Sequence, residues 1–203
     1  MAIIASVGLA IVSGGQAWVT IGDDQLAAMV EAGDVEPLIV VGLANTGTRT
    51  ADYSPGPRGE AYMDFLVNSV KPMIDGRYRT RPGKATTLVA GSSMGGLISC
   101  MLGWQYPDVF GAALCFSPAF RMEGEPDWSL FFTASGGGKR DVFFYVDNGG
   151  VGLEERLQPG IDYLLRSIRH IVHERGRSDI QFGLVGGGTS LEEMQDYARE
   201  LGV

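Results

Sequence analysis

The 203-residue chain, 45% hydrophobic and 20% charged, has the length and composition of one soluble globular domain (1–203) with a sizeable core. Its net charge is −8, its first basic residue is Arg49, and the later ones are interspersed with acids, which speaks against a nucleic-acid partner. The apolar opening Met1 to Val12 has no positive n-region and no clear cleavage site, and is too short to span a bilayer. A cytoplasmic protein without a membrane segment is expected.

In chain order, residues 2–12 predict a buried strand ending at Ser13-Gly14-Gly15. Residues 23–32 follow as a helix, with acids Asp23 and Asp24 at its start and Gly33 after its end. Pro37-Leu-Ile-Val-Val-Gly42 is an apolar run of strand length, as expected of a parallel strand covered on both faces. Residues 44–59, with two prolines, predict a loop. Residues 60–75 predict a helix with Tyr62, Phe65, Leu66, Ser69, Val70 and Met73 on one face, kinked or tightened by Pro72.

A strand over 86–90 then runs into Gly91-Ser-Ser-Met-Gly95, and an apolar helix over 94–105 starts at once. This is a G-x-S-x-G pattern in its strand–turn–helix context. The turn forces Ser93 into a strained backbone conformation, and the glycines on either side avoid Cβ collisions. Ser93 is thereby set at a helix N-terminus, where N–H groups and the helix dipole favour developing negative charge. Further strands are predicted over 111–116, 141–147 and 180–185, with an irregular, partly mobile flap over 121–140. A long helix, kinked at Pro159, is expected over 153–174, with a turn at Gly186-Gly-Gly188 and a closing helix over 190–201. Cys100 and Cys115 lie in apolar runs and are expected as buried reduced thiols. The alternation of strands and helices gives an α/β fold with a mainly parallel sheet, whose chemistry belongs at the carboxyl ends of the strands.

Several stretches together resemble the α/β-hydrolase group of esterase D, enterochelin esterase and feruloyl esterases. They are Glu36-Pro-Leu-Ile-Val-Val41, Asp52-Tyr-Ser-Pro55, Phe65-Leu66, Lys71-Pro72, Ile74-Asp75, Tyr78-Arg-Thr80 and Gly91-Ser-Ser-Met-Gly-Gly-Leu97. Tyr106-Pro-Asp-Val-Phe-Gly111, Ser117-Pro-Ala-Phe120 and Tyr145-Val-Asp-Asn-Gly149 continue the match, which runs from about residue 14 to about residue 160. The resemblance implies a three-layer α/β-hydrolase-like fold, shortened at its N-terminus, and hydrolysis of a small-molecule ester, thioester or lactone without a cofactor. It implies Ser93 as nucleophile and the Met94 N–H as an oxyanion-hole donor. Asp147 is the implied acid, with Glu154 as its competitor.

Three departures accompany the match. The His-Asp-Gly-like segment usual after the family's early strand corresponds here to the region near Ser6-Val7-Gly8. The family's first strands have no counterpart, which would expose a sheet edge and suggests a homodimer. Where the family places its catalytic histidine, this chain has Gly186-Gly-Gly-Thr-Ser-Leu-Glu-Glu193, so the position falls on Thr189 or near Glu192. The two histidines, His170 and His173, lie on the predicted long helix as packing or surface residues, and no clear third ligand makes them a metal pair. A serine hydroxyl needs a base poised near neutral pH. The sequence therefore leaves open a weak esterase, a binding module without catalysis, or an enzyme using an unusual base such as Glu192 or Glu193.

Overall fold

The computed structural model describes residues 8–13, 27–134, 140–149 and 184–187, together with 169, 196, 199 and 200. Six strands form one sheet: β1 (Gly8–Ser13), β2 (Leu38–Leu43), β3 (Thr87–Ser92), β4 (Ala112–Phe116), β5 (Phe143–Gly149) and β6 (Leu184–Gly187). Their order is β2-β1-β3-β4-β5-β6, and every pair is parallel. The chain moves outward from β1 to β2, then crosses back to place β3 on the other side of β1. That reversal opens a crevice at the carboxyl ends of β1 and β3, the position where open α/β sheets take their ligands.

The helices are α1 (described over 27–32), α2 (Arg49–Asp52), α3 (Pro57–Phe65), α4 (Lys71–Arg77), α5 (Met94–Gln105) and α6 (Leu130–Ala134). Helix α5 packs over β3 and β4 and reaches β1, with α3 beside it. Each of its residues from Met94 to Gly103 is buried. A helix apolar all round belongs in the middle of a core, and α5 occupies that place. Val89, Leu97, Ile98, Met101, Leu102, Phe110 and Ala113 form the centre of the packing around it.

Several expectations change. The stretch expected as a loop over 44–59 contains α2 and the start of α3, because Pro57 suits the first turn of a helix, where its missing N–H is not needed. From Pro57 to Arg77 the backbone is continuously helical, with a wider π turn at Leu66–Val70 in which the Lys71 N–H reaches back to the Leu66 carbonyl. Pro72 explains it: its ring would clash with the carbonyl four residues back, and the extra residue per turn moves that carbonyl aside. The buried stripe runs along Met63, Leu66, Val70 and Ile74, at ordinary helical spacing, and leaves the expected Phe65, Ser69 and Met73 on the exposed side.

Of the flap expected over 121–140, residues 135–139 lie outside the described residues, and 121–134 are less irregular than expected. Trp128 is 5% exposed, its main-chain N–H bonds to the Phe120 carbonyl, and Phe132 of α6 meets Phe120 and Trp104 edge to face. Gly186 and Gly187 belong to β6 rather than to a turn, since they pair with Asn148 and Gly149 of β5. Cys100 and Cys115 are joined as a disulfide rather than standing as free thiols. Packing α5 on β4 brings their Cα atoms to 5.9 Å, within the span a disulfide bridges. The predicted 153–174 and 190–201 helices fall largely outside the described residues. No helix among the described residues is long and apolar enough to cross a membrane.

Candidate active site at the carboxyl edge of the sheet

Strand β3 ends at Ser92, and α5 begins at Met94. The single residue between them, Ser93, has φ 57° and ψ −122°. A non-glycine residue held there costs on the order of 1–3 kcal/mol and persists only where its surroundings over-determine it. The surroundings do so here. The Ser93 N–H bonds to the Phe116 carbonyl at 2.9 Å, and the Ser93 carbonyl accepts from Leu97 at 3.0 Å and from Ala119 at 3.1 Å. A Cβ on Gly96 would stand 2.8 Å from the Phe116 carbonyl oxygen and 3.0 Å from the Pro118 Cα, so α5 closes on the 116–118 turn at backbone contact. The half-buried Ser93 hydroxyl makes no capping bond to α5. As the first residue of α5, Met94 offers an N–H with no intrahelical acceptor, beside Ser93 and at the positive end of the helix dipole.

The neighbouring strand end carries the second half of the site. Ser117 follows β4 and also has a positive φ, 41°. Its N–H bonds to Asp147 Oδ1 at 2.7 Å, while the Tyr145 hydroxyl donates to Asp147 Oδ2 at 3.3 Å. Burial pushes the Tyr145 hydroxyl above its ordinary pKa, and the Asp147 charge adds to the shift. The Tyr145 ring lies 5.5 Å from that of Phe116, which is 38% exposed beside Ser117. Ser93 and Asp147 thus share one edge of the sheet and are linked through the backbone of residues 116 and 117.

Beyond β2, the 44–58 segment is held by a buried carboxylate. Asp52, 5% exposed, accepts from the Thr46 hydroxyl, from Thr48 Oγ1 at 3.1 Å and from Arg58 Nε at 2.8 Å. The Thr46 hydrogen bond is the main cause holding the Asp52 carboxyl below the usual range; burial opposes it, and Arg58 and Thr48 assist. Next to it the fully buried Tyr53 accepts a hydrogen bond from the Tyr62 hydroxyl, and the Arg49 guanidinium lies 5.8 Å over its ring. Burial, reinforced by Tyr62, raises the Tyr53 pKa well above its ordinary value.

Residues 8–142, which include the sharp Gly91–Gly95 turn that carries Ser93 (the elbow) and the 116–119 turn, match the putative esterase family. The chain belongs to that family. No curated protein matches its sequence. Among solved structures it is similar to a ferulic acid esterase, at 18% identity and a TM-score of 0.67, over 97% of this chain and 83% of that one. It is also similar to the BES protein from Bacillus cereus (15% identity, TM-score 0.68, 99% of this chain and 85% of that one). The enterobactin esterase FES from Shigella flexneri matches at 16% identity and TM-score 0.69, over 98% of this chain, which spans about half (51%) of that enzyme. These likenesses establish the α/β-hydrolase type of fold.

Within this family member the structure brings Ser93, the Met94 N–H and Asp147 to the same sheet edge. Glu154, His170, His173, Thr189, Glu192 and Glu193 lie outside the described residues. No cluster of three or more His, Cys, Asp or Glu side chains suited to a metal occurs among the described residues. The sequence sets Ser117 after a buried strand, on the carboxyl edge of the sheet and within the family resemblance, but gives it no role, since a positive φ at serine leaves no mark in composition; it assigns Tyr145 no role either. Tyr145 was visible two residues before Asp147 on the same strand, a spacing that puts both side chains on one face.

Proposed function

We propose that this esterase-family chain is a serine ester hydrolase acting on a small carboxylic ester, thioester or lactone. The observation that carries the reading is the backbone of Ser93, held at φ 57° between a buried strand and the N-terminus of a buried helix. In this reading the Ser93 oxygen attacks the carbonyl carbon as its proton passes to a base. The carbonyl oxygen becomes an oxyanion that accepts from the Met94 N–H. Collapse of the intermediate breaks the carbon–oxygen or carbon–sulfur bond, and the proton leaves with the alcohol or thiol. Water then attacks the acyl-enzyme and restores Ser93. Asp147 supplies the carboxylate of the site, orienting the base or stabilising its charged form, and Glu192 and Glu193 are the proposed bases from the segment after β6.

A second reading is favoured by one feature of the sequence: its only histidines are His170 and His173. In it the chain binds an ester in the crevice without consuming it. Hydrolysis of a short-chain activated ester by the wild type and Ser93→Ala, across pH and with a chelator, separates the two. The esterase reading expects Ser93→Ala to lose about a thousandfold or more of the rate, with the chelator having no effect. Equal turnover by both proteins overturns it, and absence of turnover in both favours the binding module.

A further inference from the structure

Among the described residues, Ser93 and Ser117 are the non-glycine residues with positive φ, at 57° and 41°. They are joined: the Ser93 N–H bonds to the carbonyl of Phe116, the residue immediately before Ser117. The Ala119 N–H, two residues after Ser117, returns to the Ser93 carbonyl at 3.1 Å. The 116–119 turn therefore grips the elbow residue by both its N–H and its C=O. Gly96 adds a third contact, since the turn lies so close that a Cβ there would reach the Phe116 oxygen at 2.8 Å. Asp147 in turn reaches the 116–119 turn, accepting the Ser117 N–H at 2.7 Å.

We propose that Asp147 is the positioning residue of the elbow: its carboxylate fixes Ser117 in the left-handed conformation, and the turn so fixed holds Ser93. The proposal rests on the esterase reading for its catalytic consequence and on geometry alone for the clamp. A charged acceptor makes a shorter and stronger bond to an N–H than a neutral one. The Tyr145 hydroxyl on Oδ2 sets the rotation of the carboxylate, and the Tyr145 ring against Phe116 closes the assembly on its outer side. This task differs from orienting a base. It needs an oxygen facing Ser117, and it acts on Ser93 through main-chain bonds.

The test compares wild type, Asp147→Asn and Asp147→Ala by backbone amide exchange and by ester turnover on the same samples. The asparagine variant keeps an oxygen for the Ser117 N–H; the alanine variant leaves that donor without its partner. Exchange at Ser117, Ser93 and Ala119 should quicken about tenfold or more in Asp147→Ala and much less in Asp147→Asn. The kcat of Asp147→Ala should lie about tenfold below that of Asp147→Asn at similar KM. Unchanged exchange in Asp147→Ala, or equal loss in the two variants, overturns the clamp. Should Asp147→Ala not fold, Asp147→Ser takes its place in the same exchange measurement, since its shorter side chain also withdraws the oxygen from the Ser117 N–H; a Ser93 amide whose exchange does not quicken with that of Ser117 overturns the proposal. Exchange needs no substrate, so the clamp stands or falls separately from the Ser93→Ala result.

Discussion

Two segments at the carboxyl edge of the sheet are held in opposite ways. After β2, the 44–58 segment is organised by side chains: two threonine hydroxyls and an arginine converge on the buried Asp52. After β3 and β4, the elbow and the 116–119 turn are organised mainly by main chain. They share hydrogen bonds from Ser93 and Ala119 and a backbone approach at Gly96, with one carboxylate, Asp147, at the outer end. A polar side-chain network tolerates shifts of a few tenths of an ångström, because each member can rotate to follow its partner. Backbone contact has no such freedom. The difference teaches where this fold needs accuracy: at the residue that would attack a carbonyl, where a small misplacement costs rate steeply.

The sharpest way to break the comparison is to add one carbon to each side. Gly96→Ala drives a Cβ into the Phe116 oxygen and Pro118 Cα, backbone that cannot rotate away. A loss of about 1–3 kcal/mol in unfolding free energy, measured by denaturant titration, is expected from such overpacking. Stability equal to wild type would show that the turn can yield. At Gly47, in the segment after β2, an added Cβ meets nothing within 4 Å and the φ is not in the left-handed region. Gly47→Ala should therefore be neutral or stabilising by up to about 1 kcal/mol, through the lost freedom of the unfolded chain.

Between these in size lies an effect of pH specific to the polar network. The folded Asp52 carboxyl titrates below its ordinary value, mainly through the Thr46 hydroxyl. Its contribution is thus complete above the unfolded value of about 3.9 and disappears as the pH falls through the lower folded value. The stability gap between wild type and Asp52→Asn should be widest near neutral pH and shrink as the solution is acidified below about pH 4. A gap that stays constant into acid would mean that charge on Asp52 contributes nothing to holding the segment.

Much of this protein was legible in one dimension. The apolar runs at 37–42, 86–90 and 111–116 are short, continuous and bounded by turn residues, so parallel strands followed from their pattern. Of the three, β3 alone is buried along most of its length, and β2, at the edge of the sheet, has no fully buried residue. Helix α5 was readable to its ends, because Gly91-Ser-Ser-Met-Gly95 marks its start and Pro107 lies just beyond its close. Ser93 was the evident nucleophile candidate for the same reason: the spacing of its glycines encodes a local turn. What depended on distant parts of the chain was not readable. The pairing of Cys100 with Cys115 needs α5 seated on β4, and the buried side of α3 and α4 is decided by what they pack against. The bond from the Ser117 N–H to Asp147 joins residues thirty apart in sequence that become neighbours only when β5 pairs with β4. Local sequence determines which conformation a short segment prefers, whereas the contacts that hold a strained residue come from strands whose adjacency is set by the packing of the whole sheet.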